Sequence, residues 1–346
     1  MRVAIVTDAW RPQVNGVVTT LSKVSEALEQ AGHTVRMVTP AGFRTVAMPT
    51  YPEIRLSLWP RRRLSATLDA FAPEAIHIAT EGPLGHAARR YCLRRGYPFT
   101  TAYHTQFPRY VRMRLPVPVA WTYAYLQRFH RPARRTMVPT PTMMAELREH
   151  GFEHVVQWTR GVDTALFHPR EKAFLDGVRP ISIFVGRVAV EKNVEAFLRA
   201  NIPGTKYVVG DGPDAETLRR RYPDARFVGY RHGQDLARHV AAADVMVFPS
   251  RTDTFGLTML EAMACGVPVA AYPVTGPMDV VDDGVTGALD EDLQRAVERA
   301  LNLDPDDCVA RARRRTWAHS ADQFAGYLAR FEPASPGAGA QPERAP

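Results

Sequence analysis

Cysteine is scarce: Cys92, Cys265 and Cys308 are the only 3 in a chain of 346 residues. They lie far apart and form no CxxC pair, so neither a disulfide framework nor a cysteine-bound zinc fits, and a reducing compartment does. No apolar run approaches the roughly 18 residues that a membrane-spanning helix needs. The opening MRVAIVTDAW has too short an apolar stretch for a signal peptide and carries Asp8 early, so it reads as a first β-strand. Also missing is an acidic metal cluster of the DxD kind at a strand end; Asp282 and Asp283 precede a glycine turn and look structural. These gaps point to a soluble or peripheral cytoplasmic protein that holds no metal.

What is present is globular. Hydrophobic residues make up 45% and charged residues 23%, and the length suits two domains better than one core. The formal net charge is +8, but residues 1–163 carry 22 Lys and Arg against 11 Asp and Glu, so the positive excess lies wholly in the first half. That half is expected to face something anionic: nucleic acid, a phosphate-bearing substrate or an acidic membrane surface. A solvated arginine-rich surface explains the charge equally well.

Short apolar runs alternate with amphipathic helical stretches. VAIVT (3–7), TVRMVT (34–39), AIHIAT (75–80), FTTAYH (99–104) and RTMVPT (135–140) read as buried parallel strands. TTLSKVSEALEQAG (19–32) reads as a helix ending on Gly32. After the polar segment GVDTALFHPR (161–170) the pattern restarts with ISIFVG (181–186), KYVVG (206–210), ARFVGY (225–230), DVMVFPS (244–250) and VPVAAY (267–272). The alternation predicts an α/β protein of two doubly wound, Rossmann-like domains, 1–163 and 164–312, with ligand in the cleft between them. A C-terminal helix at 313–332 is expected to pack back on the first domain. The Pro/Gly/Ala-rich tail 333–346 is expected to be disordered.

Three loops carry candidate chemistry. In TDAWRPQVNGVVTTL (7–21), Asn15-Gly16 makes a turn into a helix, and the absence of a Cβ on Gly16 would let helix-start amides approach a phosphate. In FVGRVAVEKN (184–193), a buried strand delivers Arg187, with Lys192 five residues on; a guanidinium fork and an ammonium suit a diphosphate. Salt bridges to Glu191 or Glu195 are the bland alternative. In SRTDTFGLTMLEAMACGVPVAA (250–271), Asp253 precedes a helix start whose Phe255, Gly256 and Leu257 amides have no intrahelical acceptor. Glu261 falls in an apolar run, where an unpaired carboxylate is costly and wants a hydroxyl-bearing partner. VVGDGPDA (208–215) contains G-x-G-x-x-A, but Asp211, Asp214 and Pro213 disqualify it as a dinucleotide fingerprint. Gly210 and Gly212 would instead permit close approach to a nucleotide, and backbone near Gly229 to Arg231 would read its base.

Taken together, Asn15-Gly16, Arg187 with Lys192, VVGDGP (208–213) and the acidic-x7-Glu motif ending in LEAMACGVPV resemble the family 4 retaining glycosyltransferases of the GT-B fold, over nearly the whole chain. The resemblance implies that Arg187 and Lys192 bind the donor diphosphate and Glu261 the nucleotide ribose. It also implies that Asp253 and the Phe255–Leu257 amides hold the sugar hydroxyls. His104 in YHTQFPRY (103–110) matches the histidine that such enzymes place beside the transferred sugar. The first acidic position is usually Glu in the family; the shorter Asp253 must sit closer or use a water, and Asn193 replaces a common Gly. No cofactor is implied, only a donor, UDP-hexose or GDP-mannose, with the first preferred.

RYVRMRLPVPVAWTYAYLQRFHRPARR (109–135) interleaves Arg109, Arg112 and Arg114 with Trp121 and Tyr125, and Arg61, Arg62 and Arg63 add to the same half. Basic plus aromatic fits an interfacial segment on anionic lipid; a domain-packing helix with solvated arginines fits too. No nucleic-acid module surrounds it. TDAWRPQVNGVV and YHTQFPRY resemble the branch that glycosylates diacylglycerol or related lipids. The expectation is therefore a hexosyltransferase with a lipid acceptor, peripheral on the inner face of the cytoplasmic membrane. A soluble or polysaccharide acceptor, a nucleotide-sugar epimerase and a non-catalytic lipid-binding protein are the rivals.

Overall fold

The computed structural model describes residues 1–13, 15–48, 51–108, 112 and 117–333. Eight strands occupy the first half of the described chain: β1 (Arg2–Val6), β2 (Thr34–Val38), β3 (Thr45–Met48), β4 (Tyr51–Ser57), β5 (Ala75–Ile78), β6 (Thr100–Ala102), β7 (Arg135–Val138) and β8 (Val155–Gln157). β3 and β4 form an antiparallel hairpin, and the other six form a parallel sheet in the order β2-β1-β5-β6-β7-β8. Six more follow: β9 (Ile181–Val185), β10 (Thr205–Val209), β11 (Arg226–Gly229), β12 (Val245–Phe248), β13 (Val269–Ala271) and β14 (Gly287–Leu289). They form a second parallel sheet, β11-β10-β9-β12-β13-β14. Burial on both faces explains the unbroken apolar strands: every residue of β5, β9 and β12 is buried.

The strand order reverses between β1 and β5 in the first sheet and between β9 and β12 in the second. A strand order that turns back on itself splays the two flanking loops and leaves a crevice at the carboxyl ends. The loops after β9 and β12 contain Arg187, Lys192 and Asp253, so chain topology alone gathers them.

The two halves touch. Thr254 Oγ1 donates to the His104 carbonyl oxygen at 2.7 Å, and the Thr142 hydroxyl donates to Asp279 Oδ1 at 2.9 Å. A β-carbon on Gly16 would lie 3.6 Å from Leu257 Cδ1, so the helix Gly16–Gln30 starts opposite the start of the helix Leu257–Ala264. The helix Trp317–Tyr327 returns to the first half. Its Ser320 carbonyl accepts from Trp158 Nε1 at 3.0 Å, and Gln323 Oε1 accepts from the Thr159 amide at 3.0 Å. The tail from 334 lies outside the described residues. Among the described residues no helix is long and apolar enough to cross a membrane.

Candidate functional site

The loop after β12 reaches the cleft because Gly256 takes a left-handed φ of +87° at the cap of the helix Leu257–Ala264, a conformation that glycine adopts without a steric penalty. No side chain caps that helix, so its first amides keep their hydrogen-bonding capacity for a ligand. Phe255 is buried and serves the core as well as the turn. Asp253 sits just ahead of this helix start and is ion-paired: Lys192 Nζ lies 2.5 Å from its Oδ1. Its other oxygen, Oδ2, is buried without a hydrogen bond among the described residues. Glu195 is taken up by Arg221 and Tyr222 at 2.6 and 3.0 Å, and Lys192 pairs with Asp253. Asn193 has left-handed backbone and donates through Nδ2 to the Pro249 carbonyl at 3.1 Å, tying the two loops together.

Glu261 lies one helical stretch deeper. It is partly buried, flanked by buried Leu260 and Ala262, and no group among the described residues partners its carboxylate. Burial pushes its pKa up to about 7, because a desolvated carboxylate favours its neutral form. Such a group gains from any ligand that brings hydroxyl donors to it.

His104, at the end of the loop after β6, faces the same seam, its carbonyl held by Thr254. Burial, with Arg160 and His77 nearby, holds its pKa well below the usual imidazole value. Its Nε2 is buried with no partner among the described residues, while Nδ1 meets Arg160 Nη2 at 3.4 Å. Arg160 escaped the sequence reading: it lies in a polar segment between the halves, and only the fold carries it to His104.

Two of the glycines have a packing reason. A β-carbon on Gly210 would lie 1.9 Å from the Gly186 carbonyl oxygen, and one on Gly212 would lie 2.4 Å from that of Val188. On the side where a β-carbon would point, the space is filled by the loop after β9. At the first loop, Asn15 Oδ1 already accepts from the Val17 and Val18 amides at 3.1 and 3.0 Å. Of the helix-start donors expected there, these two are occupied. Gly229 has open space beside its α-carbon and accepts from the Gly210 amide.

The basic-aromatic segment divides. Arg109 and Arg114 lie outside the described residues; Arg112 is exposed. On the helix Val119–His130, Trp121 is 71% and Tyr125 46% exposed, whereas Tyr123 and Phe129 are buried in the core. Helical periodicity puts Tyr123 opposite Trp121 and Tyr125, while Phe129, four residues after Tyr125, continues their stripe to where it meets the core. Beside Tyr125, whose hydroxyl meets His86 Nε2 at 2.6 Å, an open groove of about 610 Å³ is lined by Arg61, His86, Arg89, Arg90, Leu93 and Arg94. Trp59, at 86% exposure, stands just before Arg61.

Residues 14–166 match the family model for glycosyltransferase family 4, and residues 179–303 the model for glycosyl transferases group 1. The chain is 32% identical over 320 residues to a GDP-mannose-dependent alpha-mannosyltransferase of Corynebacterium glutamicum, covering 84% of this chain and 76% of that one. A protein of the same description from Mycolicibacterium smegmatis is 34% identical over 368 residues, 94% of this chain and 96% of that one. An alpha-monoglucosyldiacylglycerol synthase of Acholeplasma laidlawii is 24% identical over 352 residues, 88% of each chain. Among solved structures, sucrose-phosphate synthase from Thermosynechococcus elongatus superposes with a TM-score of 0.72 at 23% identity, covering 94% of this chain and 97% of that one.

Proposed function

The chain belongs to the family 4 glycosyltransferases and transfers a sugar from a nucleotide-sugar donor; from that premise we propose that the donor is GDP-mannose and the acceptor a lipid. Its facing parallel sheets are the GT-B fold. The two mannosyltransferases named above move the preference from UDP-hexose to GDP-mannose.

One observation carries the assignment of the site: Lys192 and Asp253 meet at 2.5 Å where the second sheet reverses its order, beside an uncapped helix start. In this reading the donor diphosphate takes Arg187, Lys192 and the Phe255–Leu257 amides. These groups stabilise the charge that builds on the departing phosphate, the work that a metal ion does elsewhere. Lys192 then shares itself between phosphate and Asp253, freeing the carboxylate to accept from sugar hydroxyls. The unpartnered Glu261 accepts from the ribose diol. The acceptor hydroxyl attacks from the face the phosphate leaves, so the anomeric configuration is retained, and closure of the seam excludes water that would hydrolyse the donor.

The arginine-lined groove, with Trp59, Trp121 and Tyr125 exposed around the same half, supports a lipid acceptor at an anionic membrane surface. The test is a panel of GDP-mannose, UDP-glucose and UDP-galactose with and without diacylglycerol-containing anionic vesicles. The reading expects a mannolipid from the first donor alone. Transfer only to soluble sugars, or an altered free nucleotide sugar, would overturn the acceptor.

A further inference from the structure

Arg160 is a cation without an anion. Its residue is 4% exposed, burial brings its pKa down to about 9, and no carboxylate among the described residues pairs with it. The guanidinium is held by the Trp158 carbonyl at 2.6 Å and the Thr159 carbonyl at 3.3 Å, and lies 4.1 Å from the centre of the Trp158 ring. Trp158 is in turn fixed by the Ser320 carbonyl of the C-terminal helix. A buried, uncompensated charge is costly, so the arrangement calls for a use. The remaining direction is His104: Arg160 Nη2 faces its Nδ1 at 3.4 Å.

A guanidinium only donates hydrogen bonds. The imidazole nitrogen facing it must therefore offer a lone pair, which puts the proton of the neutral ring on Nε2. That nitrogen is buried and has no acceptor among the described residues. We propose that Arg160 is a positioning residue that fixes His104 as the Nε2–H tautomer and so presents an N–H donor to a hydroxyl oxygen of the transferred sugar. The inference rests on the nucleotide-sugar reading of the cleft. The titratable and charged groups facing His104 are Arg160, from the segment after β8, and His77 of β5, with the Lys192–Asp253 pair one residue beyond Thr254. His77 is itself neutral, its pKa brought down to about 3 by burial.

The first measurement needs no substrate: long-range proton–nitrogen correlation spectra of ¹⁵N-histidine-labelled protein, with His104 assigned by His104→Gln. The expected spectrum shows an Nε2–H tautomer that does not titrate between about pH 5.5 and 8.5. An Nδ1–H tautomer, or protonation in that window, overturns the proposal whatever the enzyme's donor proves to be. The second uses Arg160→Met and Arg160→Lys. Arg160→Met is expected to leave nucleoside-diphosphate affinity unchanged, lower kcat by roughly 10- to 100-fold, and give a spectrum in which His104 is no longer held as the single Nε2–H tautomer, while burial keeps the ring neutral. Arg160→Lys, which keeps a donor, is expected to recover part of the rate. Arg160→Met with kcat within about twofold of the parent overturns the proposal. If Arg160→Met does not fold, the tautomer spectrum of the parent decides alone. Absence of nucleotide binding by the parent would instead sink the reading of the cleft.

Discussion

Lys192 Nζ and Asp253 Oδ1 stand 2.5 Å apart, although 61 residues separate them in the chain. They join the loops after β9 and β12 with an ion pair that, in the proposed reading, a diphosphate loosens. On that proposal the lysine leaves the carboxylate only in part, and donor binding would itself expose the oxygen proposed to recognise the sugar. Lys192→Ala is therefore expected to lower kcat/KM by about 100- to 1,000-fold, the loss typical of one charge-stabilising donor. The variant also leaves the mostly buried Asp253 carboxylate without its lysine, so a lower unfolding midpoint is expected and the rates are compared at a temperature where both proteins are folded. Transfer at the parent rate would remove Lys192 from the mechanism.

Much of this was legible beforehand. Buried parallel strands announce themselves as apolar runs, and the loop after each strand can be read as facing the cleft; hence Arg187, Lys192, Asp253, Glu261 and His104 were named from the sequence. The short strands β8 and β14 and the β3–β4 hairpin were not. His154 precedes β8, and Thr286 and Asp290 bracket β14, whereas the equally short β6 and β13 are flanked by Phe99 and Tyr103 and by Val267 and Tyr272; β4 pairs with β3 rather than with a core sheet. Partners across the fold were hidden for another reason. The pairing of Lys192 with Asp253 depends on strand order, which no local pattern encodes. Likewise, the glycine at 210 looks the same in sequence whether ligand or backbone fills the space beside it.

That space gives a stability prediction. Gly210 has a φ of +136°, and a β-carbon there would meet the Gly186 carbonyl oxygen at 1.9 Å. Backbone cannot swing aside as a side chain can. Gly210→Ala should destabilise the second half by more than about 2 kcal/mol, seen as a lower urea midpoint. A variant of parent stability would mean that the loop after β9 is not seated there.

Glu261 should tie both stability and binding to pH. Its folded pKa is raised from 4.5 to about 7, so between these values the folded protein holds a proton that the unfolded chain has lost. Stability contributed by this residue then falls as pH rises through that window and stays low above it, by about 1–3 kcal/mol. Glu261→Gln should therefore be more stable than the parent at pH 8 and no more stable at pH 5. The same carboxyl must ionise fully to accept from a ribose diol. Nucleotide binding near pH 6.5 is expected to release a fraction of a proton, measured by calorimetry in buffers of different ionisation enthalpy, and Glu261→Gln should release none. Equal proton release in the two proteins would detach Glu261 from the nucleotide.

The arginine groove separates membrane contact from chemistry. Arg61, Arg90 and Arg94 line it together, and each basic side chain near an anionic leaflet contributes about 1 kcal/mol. Reversing all three to Glu should cost at least about 100-fold in partitioning to phosphatidylglycerol-rich vesicles, measured by sedimentation, and parent binding should weaken steeply as salt shortens the Debye length. Turnover of donor with a short-chain, water-soluble diacylglycerol should stay near the parent level, because no arginine of the groove belongs to the donor cleft. Two results would cut against this division. Unchanged vesicle binding would show that the lipid surface is met elsewhere, and equal loss of soluble turnover would mean that the groove holds the acceptor itself. The expected pattern, binding lost and soluble chemistry kept, follows from placing surface recognition on the outer helices of the first half and phosphate chemistry at the switch point of the second.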